Sequence, residues 1–418
     1  MLVETLDEKN FSHVVVARTF SKYDLSPQNR AFVSRLYFGV LERLIFIDSI
    51  LNRFSETPAS KMKPLILHIL RMGIYQILFM NSVPDHAAVN ESLKLAQRHG
   101  FSGLKPFING VLRSVSRENV IEPDHLSSQM PDNVRLSVPK WIYLRLCSSF
   151  GKDRAEAFLK GSLNARKKVT FHPNTSLMPE EDILRALKAE GCGVTEYAKD
   201  CYCLTGFGSL TELKSWNDGL IFVQHPGSVR AAAMACEALR SISDEPLIID
   251  VCAAPGGKSV YIAERLPKAK VISRDISDEK TALIRENIKR LRLSNIDVQI
   301  FDALQTDEGL ICSADLVICD VPCSGLGMIG EKPDIKARLR EKDIPALASL
   351  SRRIAAASCR YVKNGGLLLY STCTLTEEEN TDNSRFICGL ADFEILDEFT
   401  SLPDDGTDGF YACLLKKQ

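Results

Sequence analysis

The stretch that decides the fold is LIIDVCAAPGGKSVYIAERL, residues 247–266. Its first four residues, "LIID", predict a short buried strand, and the residues after the glycines predict a helix. The "AAPGGK" between them predicts a turn whose backbone passes close to a ligand, because alanine, proline and glycine permit a tight change of direction. The segment therefore predicts a strand–turn–helix unit of a ligand-binding α/β domain.

The residues that follow repeat the alternation of strand and helix. Predicted strands are "KVISRD", "IDVQIFD", "ADLVICDVPC" and "GGLLLYSTC", separated by helical segments and closed by the pair "FEIL" and "GFYACLLKK". This order predicts a Rossmann-like α/β domain with a doubly wound, mostly parallel sheet over residues 241–418. Ligands of such sheets bind beyond the carboxyl ends of the strands. Six reactive residues are predicted there, too many for solubility or packing alone: Asp250, Asp275, Asp302, Asp320, Cys323 and Cys373.

The front of the chain has a different character. Residues 1–125 predict an all-helical domain, since segments such as "KPLILHILRMGIYQILFM" place apolar residues at spacings of three and four. Residues 1–120 carry 15 Lys and Arg against 10 Asp and Glu, so the rest of the chain carries −6 of a total of −1. A basic front part favours a polyanionic partner. A polar linker and a small mixed α/β region over 133–240 are predicted between the two domains.

Composition excludes several classes of protein. The N-terminus lacks a signal-peptide pattern and no apolar run reaches membrane-spanning length, so a cytoplasmic protein without a membrane partner is expected. Thirteen cysteines in a chain of 418 residues are expected to be reduced thiols. No Cys-x-x-Cys pair occurs, and the spacing of Cys201 and Cys203 does not suit zinc, so no metal is predicted.

Three ligands compete for the turn after the first strand. A phosphate-binding loop would need glycine where Cys252 stands, and a dinucleotide site would need G-x-G-x-x-G. S-adenosylmethionine, which has no phosphate, suits the looser turn. Asp275 is then placed for the ribose hydroxyls and Asp302 for the adenine amino group. A dehydrogenase also has an acid at the second strand, but the missing glycines and the additional acids favour S-adenosylmethionine.

The two strand-end cysteines suggest what is methylated. C5 of cytosine or uracil is too weak a nucleophile to attack a methyl donor, but addition of a thiolate at C6 activates it. Cys373 and Cys323 follow "YST" and "DVP" at the ends of neighbouring strands, beside the predicted cofactor. A single cysteine there would more often be a buried small residue. The pair favours covalent catalysis.

These motifs, "DVCAAPGGKS", "DVPCSG" and "YSTCTLTEEEN", resemble those of the RNA 5-methylcytosine methyltransferases of the nucleolar-protein/Sun family, and "AAVNESLKLA" and "FINGVLR" resemble a NusB-type RNA-binding domain. The resemblance implies that Cys373 attacks C6, that Cys323 assists product release, and that Asp320 lies near the methyl group and the base. It implies a cofactor site formed by Cys252, Ala253, Ala254, Pro255, Gly256, Gly257, Lys258, Asp275, Asp302 and Asp320.

The substrate implied by the resemblance is 16S ribosomal RNA, at cytidine 967, acting as a single-stranded or flipped-out base on a monomeric enzyme. The densest basic cluster is a candidate for phosphate contact, although a solvated turn is an equal alternative: Arg166, Lys167 and Lys168. His225 stands where the family usually has aspartate, "FHPN" replaces "LRVN", and Leu326 replaces a small or hydroxyl residue. Another ribosomal or transfer RNA cytosine, a uracil, and an RNA-binding factor with a vestigial methyltransferase fold stay open.

Overall fold

The computed structural model describes residues 1–121, 130–164, 169–390, 392–404 and 409–418. The candidate phosphate contacts Arg166, Lys167 and Lys168 lie outside these residues, as does most of the predicted linker. The chain divides into two compact units. The first contains Met1–Asn164, Ile329–Glu341 and Asp404–Gly406, and the second contains Ala165–Met328, Lys342–Pro403 and Thr407–Gln418. The predicted domain boundaries stay a prediction.

The N-terminal part of the first unit is helical, as its apolar periodicity predicts. No strand occurs in the described ranges 1–121 and 130–164. Its core is formed by aliphatic residues one helical turn apart, such as Ile66, Ile69 and Leu70. The helices are α1 Leu2–Leu6, α2 Ser12–Lys22, α3 Pro27–Glu42, α4 Leu44–Phe54, α5 Pro64–Phe79, α6 Asp85–Arg98, α7 Lys105–Ile121, α8 Asp132–Arg135, α9 Lys140–Phe150 and α10 Lys152–Asn164.

The second unit begins with a small antiparallel sheet of order β2-β3-β1-β4. Its strands are β1 Val169–Pro173, β2 Gly193–Ala198, β3 Cys201–Thr205 and β4 Ile221–Val223, with helices α11 Glu180–Ala189 and α12 Lys214–Asn217. The segment "VTEYAKDCYCLTG" therefore forms a hairpin. Its turn is at Asp200, whose φ of 59° is left-handed, as is common for aspartate in turns.

A seven-stranded sheet forms the centre of the second unit. Its order is β10-β11-β9-β8-β5-β6-β7, parallel from β9 to β7 and antiparallel where β11 pairs with β9 and β10. This confirms the predicted doubly wound α/β fold. The strands are β5 Leu247–Asp250, β6 Lys270–Asp275, β7 Ile296–Ile300, β8 Ala314–Asp320, β9 Val362–Thr372, β10 Phe393–Ser401 and β11 Phe410–Lys417.

Helices cover both faces of the large sheet, with one apolar cluster on each. Strand residues alternate between the clusters: Ile248 and Leu316 face one, and Ile249 and Val317 face the other. The helices of this part of the chain are α13 Pro226–Leu239, α14 Gly257–Arg265, α15 Asp278–Leu291, α16 Ile335–Arg338, α17 Ile344–Cys359 and α18 Thr381–Leu390, and all but α16 belong to the unit that contains the sheet.

Helix α16 is held in the first unit by buried polar contacts. The Ser12 hydroxyl donates to Asp334 over 2.5 Å, and the Lys336 ammonium donates to the carbonyl of Glu42 over 2.7 Å. Burial lowers the pKa of Lys336 to about 7. The "KPDIK" segment that follows the Pro-Cys motif is therefore part of the helical unit.

A buried hydrogen bond joins the small sheet to a helix that packs on the large one. His172 of β1 and Glu264 of α14 are fully buried, with His172 Nε2 3.0 Å from the Glu264 carboxylate. His172 belongs to the "FHPN" stretch that departs from the family pattern, so here that position serves packing between two layers.

None of the thirteen cysteines, all in described residues, forms a disulfide. Within the described ranges, every helix is too short or too polar to cross a membrane. No group of three metal-ligating side chains occurs in that part of the chain.

Candidate active site

The predicted reactive residues gather at the carboxyl edge of the large sheet. Asp250, Asp275 and Asp320 are the last residues of β5, β6 and β8. The others lie in the turns just beyond: Asp302 two residues after β7, Cys323 three after β8, and Cys373 directly after β9. Adjacent parallel strands thus bring together residues up to 123 positions apart in the sequence.

The glycine turn is shaped by backbone geometry that few residues allow. The Ala254–Pro255 peptide is cis, and Gly256, which precedes α14, has a φ of 104°. An L-residue rarely adopts this φ, so glycine is required there. The turn is tied to the next strand because the Ala254 amide donates to Asp275 over 3.0 Å.

Asp250 lies beneath this turn and is almost entirely buried. One of its oxygens accepts a hydrogen bond of 2.7 Å from Ser259, and the other has no hydrogen-bond partner among the described residues. Burial raises the pKa of Asp250 to about 7, against the lowering effect of the Ser259 hydrogen bond. Burial also raises the pKa of the neighbouring Cys252 thiol, so this cysteine is not a thiolate at neutral pH.

Asp275 and Asp302 lie side by side on the β6–β7 part of the edge. Asp275 accepts hydrogen bonds from the backbone amides of Ala254 and Ile276, and Lys280 lies 3.0 Å from it. Asp302 accepts one from the amide of Leu304 over 2.9 Å. Backbone donors therefore fix both carboxylates, as expected for residues that orient a ligand.

Asp320 lies at the centre of a partly buried polar cluster. The Lys258 ammonium donates to one of its oxygens over 2.6 Å and to the Ser228 hydroxyl over 3.1 Å. The Ser371 hydroxyl donates to the other Asp320 oxygen over 2.8 Å. Lys258, expected at the methionine end of the cofactor, is thus an ion-pair partner of Asp320, which is 37% exposed while the lysine is 4% exposed.

The two cysteines of the predicted pair are in contact. Their sulfur atoms are 3.3 Å apart, and both side chains are partly exposed. The hydrogen bond with Cys373, followed by burial, raises the pKa of the Cys323 thiol well above its ordinary range. Cys323 is therefore the member of the pair that keeps its proton at neutral pH.

Backbone contacts hold the two cysteine-bearing turns against each other. The amide of Gly327 donates to the carbonyl of Cys373 over 3.0 Å, and the amide of Gly409 donates to the carbonyl of Gly327. A Cβ at Gly327 would lie 1.7 Å from the Gly409 carbonyl oxygen, so the approach needs glycine. Neighbouring Leu326, one of the departures from the family, is fully buried.

A cavity of about 320 Å³ opens at this edge and reaches both the strand-end carboxylates and Cys373. The three carboxylates Asp275, Asp302 and Asp320 line it together with Cys373. From the glycine turn, Cys252 and Ala254 contribute to its wall. Its apolar lining comes from Val251, Ile276, Phe301, Ala303, Leu304, Val321, Pro322, Leu350 and Ile354.

The cavity suits a nucleoside with an extended substituent such as S-adenosylmethionine. Lys280, whose side chain is 51% exposed, can turn into solvent and leave the buried Asp275 carboxylate to accept hydrogen bonds from a pair of ribose hydroxyls. Aromatic and aliphatic residues around Phe301 can cover a planar base. The donors and apolar surfaces present therefore fit the predicted cofactor.

Several residues of the site were missed from the sequence. Ser371, Ser324 and Glu379 lie within the motifs quoted above, whereas Ser228 lies outside them, and the sequence predicts a role for none of the four. The signal for Glu379 was weak, because "EEE" at 377–379 is acidic throughout and only its last member is fully buried. Phe301 could have been found as the aromatic residue next to Asp302.

Comparisons with known proteins cover both parts of the chain. The family model described as 16S rRNA methyltransferase RsmB/F matches residues 238–397, and the NusB family model matches residues 1–117. A protein from Bacillus subtilis named "Probable ribosomal RNA small subunit methyltransferase B" is 32% identical over all of this chain and 97% of its own length. The ribosomal RNA small subunit methyltransferase B of Proteus mirabilis is 29% identical over 94% of this chain and 92% of its own.

Solved structures share the fold. PH0851 superposes with a TM-score of 0.79 at 21% identity, covering 96% of this chain and 93% of its own. NSun6 from Pyrococcus horikoshii, solved with SFG, has a TM-score of 0.59 at 23% identity and covers 67% of this chain and 98% of its own.

Proposed function

Because the chain belongs to the ribosomal RNA small subunit methyltransferase B family, we propose that it methylates C5 of a cytidine in 16S ribosomal RNA through a covalent bond between Cys373 and C6. The target proposed is cytidine 967, and the base is presented single-stranded or flipped out. The enzyme is an RNA methyltransferase and its methyl donor is S-adenosylmethionine.

One observation carries the proposal: the cavity that fits the cofactor also exposes a sulfur. Cys373 lines the same 320 Å³ cavity as Asp275 and Asp302. A second sulfur lies 3.3 Å from it. A methyltransferase acting on oxygen or nitrogen needs no thiol at this place, whereas activation of a pyrimidine C5 does.

The roles proposed for the residues follow from their positions. Asp275 binds the ribose hydroxyls and Asp302 the adenine amino group. S-adenosylmethionine, when bound, supplies a methyl group on a positively charged sulfur. The turn residues Cys252 through Lys258 lie at the methionine end.

Cys373 starts the reaction as a thiolate. Its sulfur bonds to C6 of the cytosine, and the electron pair of the C5–C6 double bond becomes available at C5. Asp320, held by Lys258 and Ser371, is placed to hydrogen-bond the ring and orient it. After methylation, loss of the C5 proton and cleavage of the C6–sulfur bond return an electron pair to Cys373.

The sulfur pair gives Cys323 a role in that last step. The hydrogen bond with Cys373 is the largest cause of the raised pKa of Cys323. Once Cys373 is bonded to carbon, its sulfur carries no charge and this cause disappears. Cys323 can then lose its proton to solvent and accept the C5 proton, which allows the product to leave.

The covalent role of Cys373 can be tested by trapping. 16S RNA containing 5-fluorocytosine cannot lose a C5 proton, so the wild-type enzyme should form an adduct that survives denaturing gel electrophoresis. Cys373→Ala should form none, and Cys312→Ala, which changes an exposed cysteine, should trap as much as wild type. Equal trapping by Cys373→Ala would remove this residue from the role proposed.

The target nucleotide needs a separate experiment. Bisulfite sequencing of total RNA from a deletion strain should show loss of one 5-methylcytosine, at position 967 of 16S RNA. Loss of a signal in a transfer RNA or at another ribosomal position would support the same reaction on a different substrate and would contradict the proposed target. A vestigial methyltransferase would bind no S-adenosylmethionine in a calorimetric titration.

A further inference from the structure

A fully buried carboxylate bridges the two turns that carry the cysteines. Glu379 lies six residues after Cys373, in the loop between β9 and α18. Its Oε1 accepts a hydrogen bond of 2.8 Å from the amide of Ser324, the residue directly after Cys323. Its Oε2 accepts hydrogen bonds of 2.6 Å from the Ser324 hydroxyl and 2.6 Å from Thr376. One carboxylate thus binds both turns.

The hydrogen bonds around Glu379 define where the protons lie. The Ser324 hydroxyl gives its single proton to Glu379, so Thr374, 2.5 Å from the Ser324 oxygen, must be the donor to it. Tyr370 donates to the backbone carbonyl of Glu379 over 2.6 Å. The bonds from Ser324 and Thr376 to the side chain of Glu379 are those that stabilise an ionised carboxylate.

This charge has no cation beside it. Among the residues that the structure describes, no Lys, Arg or His forms an ion pair with Glu379. Further titratable groups of this region are Tyr370 and the Lys258–Asp320 ion pair, whose carboxylate lines the cavity with Cys373. Asp275, Asp302 and Lys280 line the same cavity. The negative field of Glu379 therefore acts on the thiols without a neutralising partner.

From this arrangement, in which Glu379 binds the amide directly after Cys323, we infer that Glu379 is a positioning residue that keeps Cys323 protonated and so makes Cys373, and not its neighbour, the nucleophile. The inference rests on the proposed function, since it explains how two cysteines in contact take different roles. The Glu379 charge is also among the causes that raise the pKa of Cys323, after the Cys373 hydrogen bond, burial and the charge of Cys373. If the two thiols had equal pKa values, each would be a thiolate equally often, and a smaller fraction of Cys373 would be available to attack C6.

Alkylation measures the proton's location without any methyl transfer. Wild-type protein is treated with limiting iodoacetamide at one neutral pH, and the rates at Cys373 and Cys323 are read by peptide mass spectrometry. Thiolates react and thiols do not, so Cys373 should react at least about tenfold faster, the ratio that one unit of pKa difference gives. Equal rates in the wild type overturn the inference even if no variant folds.

Glu379→Gln removes the charge and keeps the shape. The amide can accept from the Ser324 amide and donate to the two hydroxyls, which can rotate. The ratio of Cys373 to Cys323 alkylation should fall by about tenfold, for a shift of one unit. Glu379→Asp, which restores the charge, should recover most of the ratio. An unchanged ratio in folded Glu379→Gln overturns the inference.

Glu377→Gln is the matched control, since Glu377 is an exposed glutamate two residues away. It should leave the alkylation ratio unchanged, and an equal fall there would mean that a general loss of charge is responsible. Alkylation needs neither RNA nor S-adenosylmethionine. A protein that shows the predicted ratio but methylates no RNA would contradict the proposed function and leave this inference standing.

Discussion

The carboxyl edge of the large sheet has two halves that are built differently. The half at β5 to β7 is held by backbone: the Ala254, Ile276 and Leu304 amides fix its carboxylates. The half at β8 and β9 has backbone contacts between its turns, but its reactive side chains are held by other side chains, through the Lys258–Asp320 ion pair and the Glu379 bridge. One half places a ligand, and the other controls protons on two sulfurs.

The difference follows from what each half has to do. A cofactor is bound by fixed donors and acceptors, which a backbone turn supplies with little conformational entropy to lose. Proton placement needs charges near the reacting atoms, and a buried charge is stable only when several donors surround it. The thiol half is therefore expected to tolerate fewer substitutions than the cofactor half.

Replacement of the second thiol gives the largest expected effect. Cys323→Ala should still attack RNA but lose the group that removes the C5 proton, so turnover should fall by about a thousandfold or more, within the range of general base catalysis. A protein–RNA adduct should accumulate without any fluorinated base, visible as a shifted band on a denaturing gel. S-adenosylmethionine affinity should not change, and normal turnover with no adduct would place product release elsewhere.

The pH dependence of the free energy of unfolding tests the protonation of Asp250, the buried carboxylate beneath the glycine turn. Asp250 has a pKa of about 7 when folded, so between about pH 4 and 7 the folded chain holds a proton that the unfolded chain has lost. Its stabilising contribution is present at low pH and is lost as the pH rises through 7. Over the two pH units from about 5 to 7, the contribution of Asp250 to the free energy of unfolding should fall by roughly 2 to 3 kcal/mol.

The comparison with Asp250→Asn isolates this group. Urea unfolding of the cofactor-free protein at pH 5 and pH 8 should show a larger loss of unfolding free energy in the wild type than in Asp250→Asn. The effects of other titrating groups, including Lys336, are common to both proteins and cancel. Equal losses would mean that Asp250 is ionised throughout this range.

Asp275→Ala should impair the cofactor half and leave the thiol half unchanged. Loss of a charged acceptor for the ribose hydroxyls should weaken S-adenosylmethionine binding by roughly ten- to a hundredfold, as for hydrogen bonds to charged groups. Calorimetric titration measures this directly. The ratio of alkylation at the two cysteines should stay at its wild-type value, and a change there would show that the halves are coupled.

The cofactor half could be predicted almost completely from the sequence. Strands "LIID" and "KVISRD" begin and end at the predicted residues, because each is a short apolar run that ends in an aspartate. Strands β7 and β8 end earlier than predicted, at Ile300 and Asp320. The first residue after each strand, Phe301 or Val321, still donates to a backbone carbonyl of the neighbouring strand, and the regular pairing ends beyond it.

In the thiol half, the sequence predicts the reactive residues but not the side chains that hold them in place. Cys323 and Cys373 were identified by their strand ends. The Glu379 bridge joins residues 55 positions apart, and no local pattern reveals such a contact. Lys258 was assigned to the cofactor from its place in the turn, whereas its side chain extends to Asp320. Side-chain direction at a turn depends on packing that a linear pattern does not contain.

The substitution with the smallest expected effect, Thr376→Val, weakens the hydrogen bonding of Glu379 but keeps its charge. Thr376→Val removes one of the hydrogen bonds to this carboxylate, in a fully buried place that accepts valine by shape. Unfolding free energy should fall by about 1.5 kcal/mol, the lower range for a hydrogen bond to a charged group. Thr400→Val, on the exposed side of β10, should change it little.

Because the charge of Glu379 remains in Thr376→Val, the alkylation ratio of the two cysteines should persist although the protein is less stable. Urea unfolding and alkylation on the same preparation give both quantities. If the ratio fell together with stability, rigidity of the turns would control the thiols, and the thiol half would then resemble the cofactor half in working through geometry alone.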